Sequence, residues 1–270
     1  MELNKDIAKY YNEGKEQDRL ENPLNKFEKI RTLDILERYL PNEKLTIADI
    51  GGGAGVYSFI LSELGHDVHL LDIVPLHVEQ ATELNEKSDY PLKSISVGDA
   101  RKIPFSDNFA DAVLLFGPMY HLTEKQDRLQ ALKECYRILK PGGLLFSAGI
   151  SKYASLLDGF DTKNILDEEF QKIVNDDLKM GQHRNPTYHE HYFTTAYFHD
   201  PNELIIEHLD SGFEQVELLA IEGPLGLLNS ITEFLESEEK LKILLDYSRK
   251  IEKEINLIGS SSHIMVIGKK

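Results

Sequence analysis

Four glycines and one aspartate are the residues of this sequence best suited to bind a ligand. Gly51, Gly52, Gly53 and Gly55 fall within five residues, and Asp72 ends the apolar run that follows them. Glycine adopts positive φ and lacks a Cβ, so a ligand can approach the backbone of such a loop closely. A carboxylate can accept hydrogen bonds from both hydroxyls of a ribose. Together these residues predict a nucleoside-binding site.

The elements around the loop are those of a βαβ unit. An apolar run over 46–50 precedes the glycines, and a second run over 68–72 leads to Asp72. Between them the apolar residues recur at helical spacing and predict a helix with one buried stripe. That stripe consists of Val56, Phe59, Ile60 and Leu64. Ligands of parallel sheets bind where strands end, so the loop and Asp72 would share one site.

The order of the glycines argues against two common ligands. A dinucleotide loop has glycines at its first, third and sixth positions, but the sixth position here is Val56. A phosphate-binding loop ends in Gly-Lys-Ser/Thr, and no lysine follows Gly55. Asp49, just ahead of the loop, would repel a pyrophosphate and suits a cationic or amine-bearing ligand.

Four motifs in order resemble those of the class I S-adenosylmethionine-dependent methyltransferases, close to the methyltransferase type 11 domain. The segment 49–55 with Asp72 is similar to the first two motifs of that family. The motifs that follow are Gly98-Asp99-Ala100 with Ile103-Pro104-Phe105, the strand 109–114, and the loop 139–145. The set covers roughly residues 45–150, and its order is more specific than a single glycine loop.

The resemblance implies a Rossmann-like α/β fold with a seven-stranded, mostly parallel sheet and helices on both faces. The last strand, 263–268, would run antiparallel between strands five and six. We expect one domain over 1–270, made of an N-terminal helical lid (1–40), a cofactor-binding core (41–150), a cap (151–199) and a C-terminal part (200–270). The predicted helices are 22–40, 56–64, 74–85, one opened by a Thr123/Gln126 capping box, 165–180, 203–209 and a long stretch over 231–256.

S-adenosylmethionine is the cofactor that this resemblance implies. The residues that would contact it in the core are Asp49, Gly51, Gly53, Asp72, Ile73, Asp99, Ala100 and Gly117. From the N-terminal helices, Tyr11 would close the pocket and Arg19 would pair with the methionyl carboxylate. Asp49 would either reach the cofactor amine or simply order the glycine loop.

Tyr120 and His121 follow the fourth strand, where similar enzymes present the methyl acceptor, and are the candidate catalytic residues. The methyl group of a sulfonium is already activated, so the protein mainly has to align the nucleophile. A base is needed only if the acceptor must lose a proton, and a histidine titrates in the appropriate range. His121 could equally buttress the turn or contact the cofactor alone.

Histidines of the predicted cap raise the question of a metal. They are His183, His189, His191 and His199. No His-Glu-x-x-His pattern is present and no cysteine lies nearby, so we expect no metal. Contacts to the acceptor, or ordinary surface and packing roles, are the remaining interpretations.

Composition narrows the class of partner. The net charge is −16, and no cluster of lysine and arginine offsets it, which argues against a nucleic-acid acceptor. Cys135 is the only cysteine, which is consistent with a reducing compartment. No signal peptide or long apolar run is evident, so we expect a cytoplasmic protein that is not bound to membranes.

We therefore predict an enzyme that methylates a small molecule by direct in-line displacement, as a monomer or homodimer. The acceptor atom does not follow from the sequence. A protein or RNA methyltransferase is one alternative, and a non-catalytic cofactor-binding sensor is another. A nicotinamide dehydrogenase is disfavoured because Val56 replaces its third glycine.

Overall fold

One mixed β-sheet forms the centre of the protein, which we describe from a computed structural model over residues 23–187, 189 and 192–270. The strands are β1 (Thr46–Ile50), β2 (Asp67–Asp72), β3 (Ser94–Val97), β4 (Ala110–Leu115), β5 (Leu139–Ser151), β6 (Gln182–His183), β7 (Ala196–His199), β8 (Glu214–Ala220) and β9 (His263–Lys269). Alternation of these strands with helices is what the sequence pattern predicts for a parallel sheet.

Helices connect the strands. They are α1 (Pro23–Tyr39), α2 (Val56–Glu63), α3 (Pro75–Asn85), α4 (Pro118–His121), α5 (Lys125–Ile138), α6 (Ala154–Asp161), α7 (Glu168–Met180), α8 (Pro201–Asp210), α9 (Ile231–Phe234), α10 (Glu238–Ile251) and α11 (Ile255–Ile258). Short 3-10 turns cover Asn164–Leu166 and Gly223–Leu227.

The number of strands in the main sheet and the place of the last strand match the prediction. Five strands pair in parallel in the order β3-β2-β1-β4-β5. β9 then lies antiparallel between β5 and β8, with Leu144 opposite Lys269 and Ile150 opposite His263. These are the seven predicted strands, with the last one inserted between the fifth and sixth.

Two short strands extend this sheet from the 151–199 segment. β7 pairs in parallel with the end of β5 through Ile150–Phe198 and Ser151–His199, and β6 pairs antiparallel with β7. β7 pairs with the end of β5 at Ile150 and Ser151, beyond the last pair of β5 with β4, which is Leu115–Ser147. The segment therefore continues the sheet at the carboxyl end of β5, which the sequence pattern did not predict.

Apolar residues cover both faces of the sheet because adjacent residues of a strand point to opposite sides. Ile47 and Ala48 of β1 illustrate this, since each is fully buried in a different core cluster. One cluster packs α5 and α8 against the sheet, and the other packs α1, α2 and α3. The α/β class of the fold is thus built from two helical layers on one sheet.

Three helix predictions were wrong in detail. α2 buries Ser58, Leu61 and Ser62, while Leu64 lies past its end and is 68% exposed. α5 begins at Lys125 and has no side-chain cap, so the Thr123/Gln126 capping box does not form. The stretch 231–256 is broken into α9, α10 and the start of α11, with Ser237 capping α10 through the backbone amide of Lys240.

Candidate cofactor and acceptor site

The glycine loop leaves β1 and turns back over the end of the strand. Gly51 has φ 76° and Gly53 has φ 57°, a region that favours glycine. A Cβ on Gly51 would lie 2.6 Å from Cδ of Pro118, whereas a Cβ on Gly53 would meet nothing nearer than 3.9 Å. Gly51 is therefore fixed by its packing against the end of β4, and Gly53 borders open space where a ligand could reach its backbone.

Asp72 holds this loop to the end of β2. Its Oδ2 accepts a hydrogen bond of 2.8 Å from the backbone amide of Gly53. Its Oδ1 accepts one of 2.8 Å from the amide of Val74 and lies 3.2 Å from Nδ1 of His77. A carboxylate offers about four lone-pair positions, so Asp72 retains acceptor capacity for a ribose while it orders the loop.

Asp49 is buried beneath the loop. It accepts a hydrogen bond of 2.7 Å from Oγ of Ser58 in α2, and a Cβ on Gly52 would lie 2.6 Å from its Oδ2. Burial raises the pKa of Asp49 to about 7, with a further increase from the nearby Asp72 carboxylate and a partial decrease from Ser58. Through these contacts Asp49 connects the glycine loop to α2 from beneath and helps to order it.

Asp99, which follows β3, is engaged by a neighbour that the sequence analysis did not consider. The Arg101 guanidinium donates to both carboxylate oxygens, the shortest bond being 2.7 Å, and reaches Asp127 with its other terminal nitrogen at 2.7 Å. Burial raises the pKa of Asp99, but the Arg101 hydrogen bonds outweigh it and hold this pKa below its ordinary value. The adjacent Ala100 is buried in the core, so it shapes the site through its backbone.

Gly117 and α4 bring the end of β4 against the glycine loop. A Cβ on Gly117 would lie 3.3 Å from the carbonyl oxygen of Gly51 and 3.9 Å from the Tyr120 hydroxyl. The predicted cofactor residues of β1 and the predicted catalytic residues after β4 therefore lie side by side. The half-buried Ile73 follows Asp72 at the same edge.

His121 lies within electrostatic range of Asp72 and His77 and hydrogen-bonds with the backbone of Thr195. Burial lowers the pKa of His121 to about 3, against the opposing effect of the Asp72 carboxylate. The ring is neutral at neutral pH, and such a low pKa makes it a weak proton acceptor. A neutral hydrogen-bonding and packing surface is the role that its surroundings favour.

Aromatic rings from the 151–199 segment cover Tyr120 and His121. Phe193 stacks on His121 with 6.1 Å between ring centroids and lies 6.4 Å from the Tyr120 ring. Phe198 of β7 stacks on His183 at 4.6 Å, and Phe193 lies 6.1 Å from His183. The segment thus forms an apolar wall with polar ring edges next to the predicted acceptor position.

The other predicted residues are dispersed. Tyr11, Arg19 and His191 lie outside the described residues, so their roles stay predictions. His189 is exposed and stacks on Tyr192 at 4.3 Å. His199 is buried 3.5 Å from a Glu207 carboxylate oxygen.

Three residues at the site were missed by the sequence analysis. His77 contacts Asp72, Arg101 holds Asp99, and Phe193 covers His121. The sequence could have indicated the first two residues. His77 lies in the first turn of the helix after Asp72, and Arg101 lies two residues beyond Asp99. No sequence pattern indicated Phe193, since its position depends on how the 151–199 segment folds back.

Among the described residues, three potential metal ligands come together away from these histidines. Ligand atoms of Glu28, Glu222 and His263 lie within 4.8 Å of one another. The Nδ1 of His263 is 2.6 Å from Oε1 of Glu222, so a hydrogen bond between these side chains already accounts for their approach. In the same described part of the chain, every helix is too short or too polar to cross a bilayer.

Comparison with known proteins agrees with the geometry. Residues 48–147 match the family model described as a methyltransferase domain. A ubiquinone/menaquinone biosynthesis C-methyltransferase of Neisseria meningitidis is 37% identical over 118 residues, which are 42% of this chain and 46% of that protein. The probable tRNA methyltransferase 9B of Bos taurus is 35% identical over 99 residues, covering 37% of this chain and 20% of that protein. The chain therefore spans less than half the length of these curated relatives.

Solved structures extend the similarity of the fold to most of the chain. An S-adenosylmethionine-dependent methyltransferase of Methanosarcina mazei superposes with a TM-score of 0.58 at 20% identity, covering 87% of this chain and 96% of that one. Residues 48–147 are thus similar to a methyltransferase domain, and the fold of the chain is similar to that of the S-adenosylmethionine-dependent methyltransferases. The cofactor of this class is S-adenosylmethionine.

Proposed function

We propose that this protein transfers a methyl group from S-adenosylmethionine to a small-molecule acceptor by in-line displacement. The observation that carries the proposal is the joining of three strand ends into one site. Asp72 binds the amide of Gly53, and Gly51 packs against Pro118 next to Tyr120 and His121. Loops at the carboxyl ends of parallel strands are where such folds bind ligands.

The residues present fit the cofactor. Gly53 leaves open space over its backbone, and Asp72 keeps acceptor capacity for ribose hydroxyls. We assign Asp49, Gly51, Gly53, Asp72, Ile73, Asp99, Ala100 and Gly117 to this half of the site, with Tyr11 and Arg19 as further candidates. Asp99 is already paired with Arg101. The Asp99 carboxylate would therefore have to accept a hydrogen bond from the adenine while it keeps its bonds to Arg101.

The cofactor supplies a methyl group on a sulfonium that is already activated for displacement. The protein then has to align the acceptor and exclude water. Tyr120, His121 and Phe193 would line the acceptor side, and the 151–199 segment would serve as its cap. The neutral His121 ring would position the acceptor by hydrogen bonding.

A small-molecule acceptor is favoured by charge and by the aromatic cover. The chain carries −16 at pH 7, which opposes approach of a polyanion. The likeness to a tRNA methyltransferase is confined to 99 residues, which are 20% of that protein. RNA is the second candidate acceptor.

Isothermal titration with S-adenosylmethionine and S-adenosylhomocysteine, with NAD as the control, tests the cofactor assignment. We expect micromolar binding of the first two ligands and none of NAD. Absence of binding by either cofactor form would overturn the proposal. Turnover is then measured as S-adenosylhomocysteine released with small hydroxylated or amine compounds, in parallel with bulk tRNA.

A further inference from the structure

A buried histidine–aspartate pair lies within the 151–199 segment, behind the aromatic wall. His183 of β6 and Asp177 of α7 are 1% and 0% exposed. The distance from Nδ1 of His183 to Oδ2 of Asp177 is 2.9 Å. Gly181, in the left-handed conformation at the end of α7, turns the chain so that the two side chains meet. No step of the proposed function uses this pair.

One ring nitrogen of this pair has no hydrogen-bond partner in the part of the chain that the structure describes. The Nε2 of His183 is buried without a hydrogen bond among the described residues, whereas its Nδ1 contacts Asp177 and lies 3.5 Å from Oγ of Ser155. A buried polar atom that stays unsatisfied is costly, so such atoms commonly mark a place for a ligand or a water. Because a carboxylate only accepts, Nδ1 is the donor, and in the tautomer that this hydrogen bond selects Nε2 carries the lone pair.

The ring of His183 also packs against aromatic side chains that adjoin the acceptor side. Phe198 stacks on its ring, and Phe193 lies 6.1 Å from the rings of both His183 and His121. Phe193 is thus near both the Asp177–His183 pair and α4. A ligand beside the Phe193 ring would lie near both the His183 ring and the His121 ring that follows β4.

We propose that His183 binds and deprotonates the methyl acceptor, and that this acceptor is a neutral aromatic molecule carrying a hydroxyl group. This inference rests on the proposed function and names its substrate class. The rings of Phe193 and Phe198 favour an aromatic body, and the lone pair of Nε2 requires a hydrogen-bond donor. A charged ammonium group would lose more hydration energy in this environment than a neutral hydroxyl.

The proton moves from the hydroxyl group of the acceptor to His183, and no other group is needed for this step. The O–H bond of the acceptor breaks, Nε2 of His183 takes the proton, and the electron pair remains on the acceptor. The Asp177 carboxylate, held on Nδ1, stabilises the imidazolium that forms. Asp177 is therefore a positioning residue, and His183 is the residue that touches the acceptor.

Nitrogen NMR of histidine-labelled protein tests this assignment with p-cresol as the probe. Toluene and p-methylbenzylamine, which match its shape, are the controls, and titrations are run with and without S-adenosylhomocysteine. We expect p-cresol to shift the Nε2 resonance of His183 and to bind His183→Gln about fivefold to tenfold more weakly, as for the loss of one buried hydrogen bond. His189→Gln, an exposed histidine of the same segment, should bind p-cresol as the wild type does.

Asp177→Asn provides a signature that a purely structural role would not give. An asparagine amide can donate to Nδ1, so the His183 proton should move to Nε2 and p-cresol binding should weaken while S-adenosylhomocysteine binding is kept. Equal p-cresol affinity in wild type and His183→Gln, preferential binding of p-methylbenzylamine, or no p-cresol binding would each overturn the inference. Failure of S-adenosylhomocysteine to bind would instead refute the proposed function, and the titration without it would still report on His183.

Discussion

At the scale of single residues, Asp72 both orders the glycine loop and is a candidate ligand-binding residue. It holds the Gly53 amide at 2.8 Å and the Val74 amide at 2.8 Å at the end of β2. The same carboxylate is the candidate partner of a ribose. Loss of this side chain should therefore disturb the loop and remove ligand hydrogen bonds together.

Asp72→Ala should lower the affinity for S-adenosylhomocysteine by about tenfold to a hundredfold. Two ribose hydrogen bonds of roughly 1 kcal/mol each would be lost. Isothermal titration measures the change. Asp67→Ala is a matched control, since Asp67 starts the same strand and pairs with Lys44 and Lys93 at the opposite end. Unchanged affinity in Asp72→Ala would contradict the assignment of the site.

The stability of the folded protein should depend on pH through Asp49. Burial raises its pKa to about 7, from an ordinary value of 3.8. Between these values the folded protein retains a proton that the unfolded chain releases, so the free energy of unfolding falls as pH rises, and the loss is complete above about 7. Asparagine cannot ionise and still accepts from Ser58, so Asp49→Asn should remove this loss.

Urea unfolding of the wild type and Asp49→Asn at pH 5 and pH 8 measures the effect. We expect similar stability at the lower pH and an advantage of roughly 2–4 kcal/mol for the variant at the higher pH. Comparing the two proteins at each pH cancels the titration of the other carboxylates. A difference that does not change with pH would show that Asp49 is ionised throughout.

At the scale of elements, the contact between the glycine loop and the end of β4 organises the site. Gly51 combines a positive φ with close packing against Pro118. These two constraints can be separated, because Gly65 has φ 97° and a Cβ there would meet nothing within 4 Å. Alanine at the two positions therefore distinguishes backbone strain from steric conflict.

Gly51→Ala should weaken S-adenosylhomocysteine binding by at least tenfold, because its Cβ would push the loop away from Pro118. Both Gly51→Ala and Gly65→Ala should lose about 1–2 kcal/mol of stability from the left-handed conformation. Calorimetric titration and urea unfolding of both variants provide the comparison. Equal binding by the two variants would mean that the loop does not need its contact with α4.

The sequence predicted these elements better than it predicted their side-chain partners. Strand ends were predictable because glycines and aspartates terminate apolar runs at Gly51, Asp72 and Asp99. The raised pKa of Asp49 could not be predicted from the sequence, since it depends on burial. The contact between Asp177 and His183 could not be predicted either, because it requires the turn at Gly181 and the pairing of β6 with β7. Local pattern carries no information about such packing.

At the scale of the whole molecule, charge should decide between the two candidate acceptors. With a net charge of −16, binding of bulk tRNA should be undetectable at micromolar protein and physiological salt. Fluorescence anisotropy with labelled tRNA, using a basic RNA-binding domain as a positive control, measures this. Binding that weakens steeply with added salt would contradict the prediction and favour RNA as the acceptor.

The family resemblance implied the place of the last strand, and this strand completes the main sheet. β9 lies between β5 and β8, and it is the only strand that β8 pairs with in the described part of the chain. During synthesis β8 must therefore leave the ribosome before its partner exists, with its backbone edge exposed to other nascent chains. Formation of this sheet has to wait for residues 263–269, so the rate of folding should be limited by that late, long-range pairing.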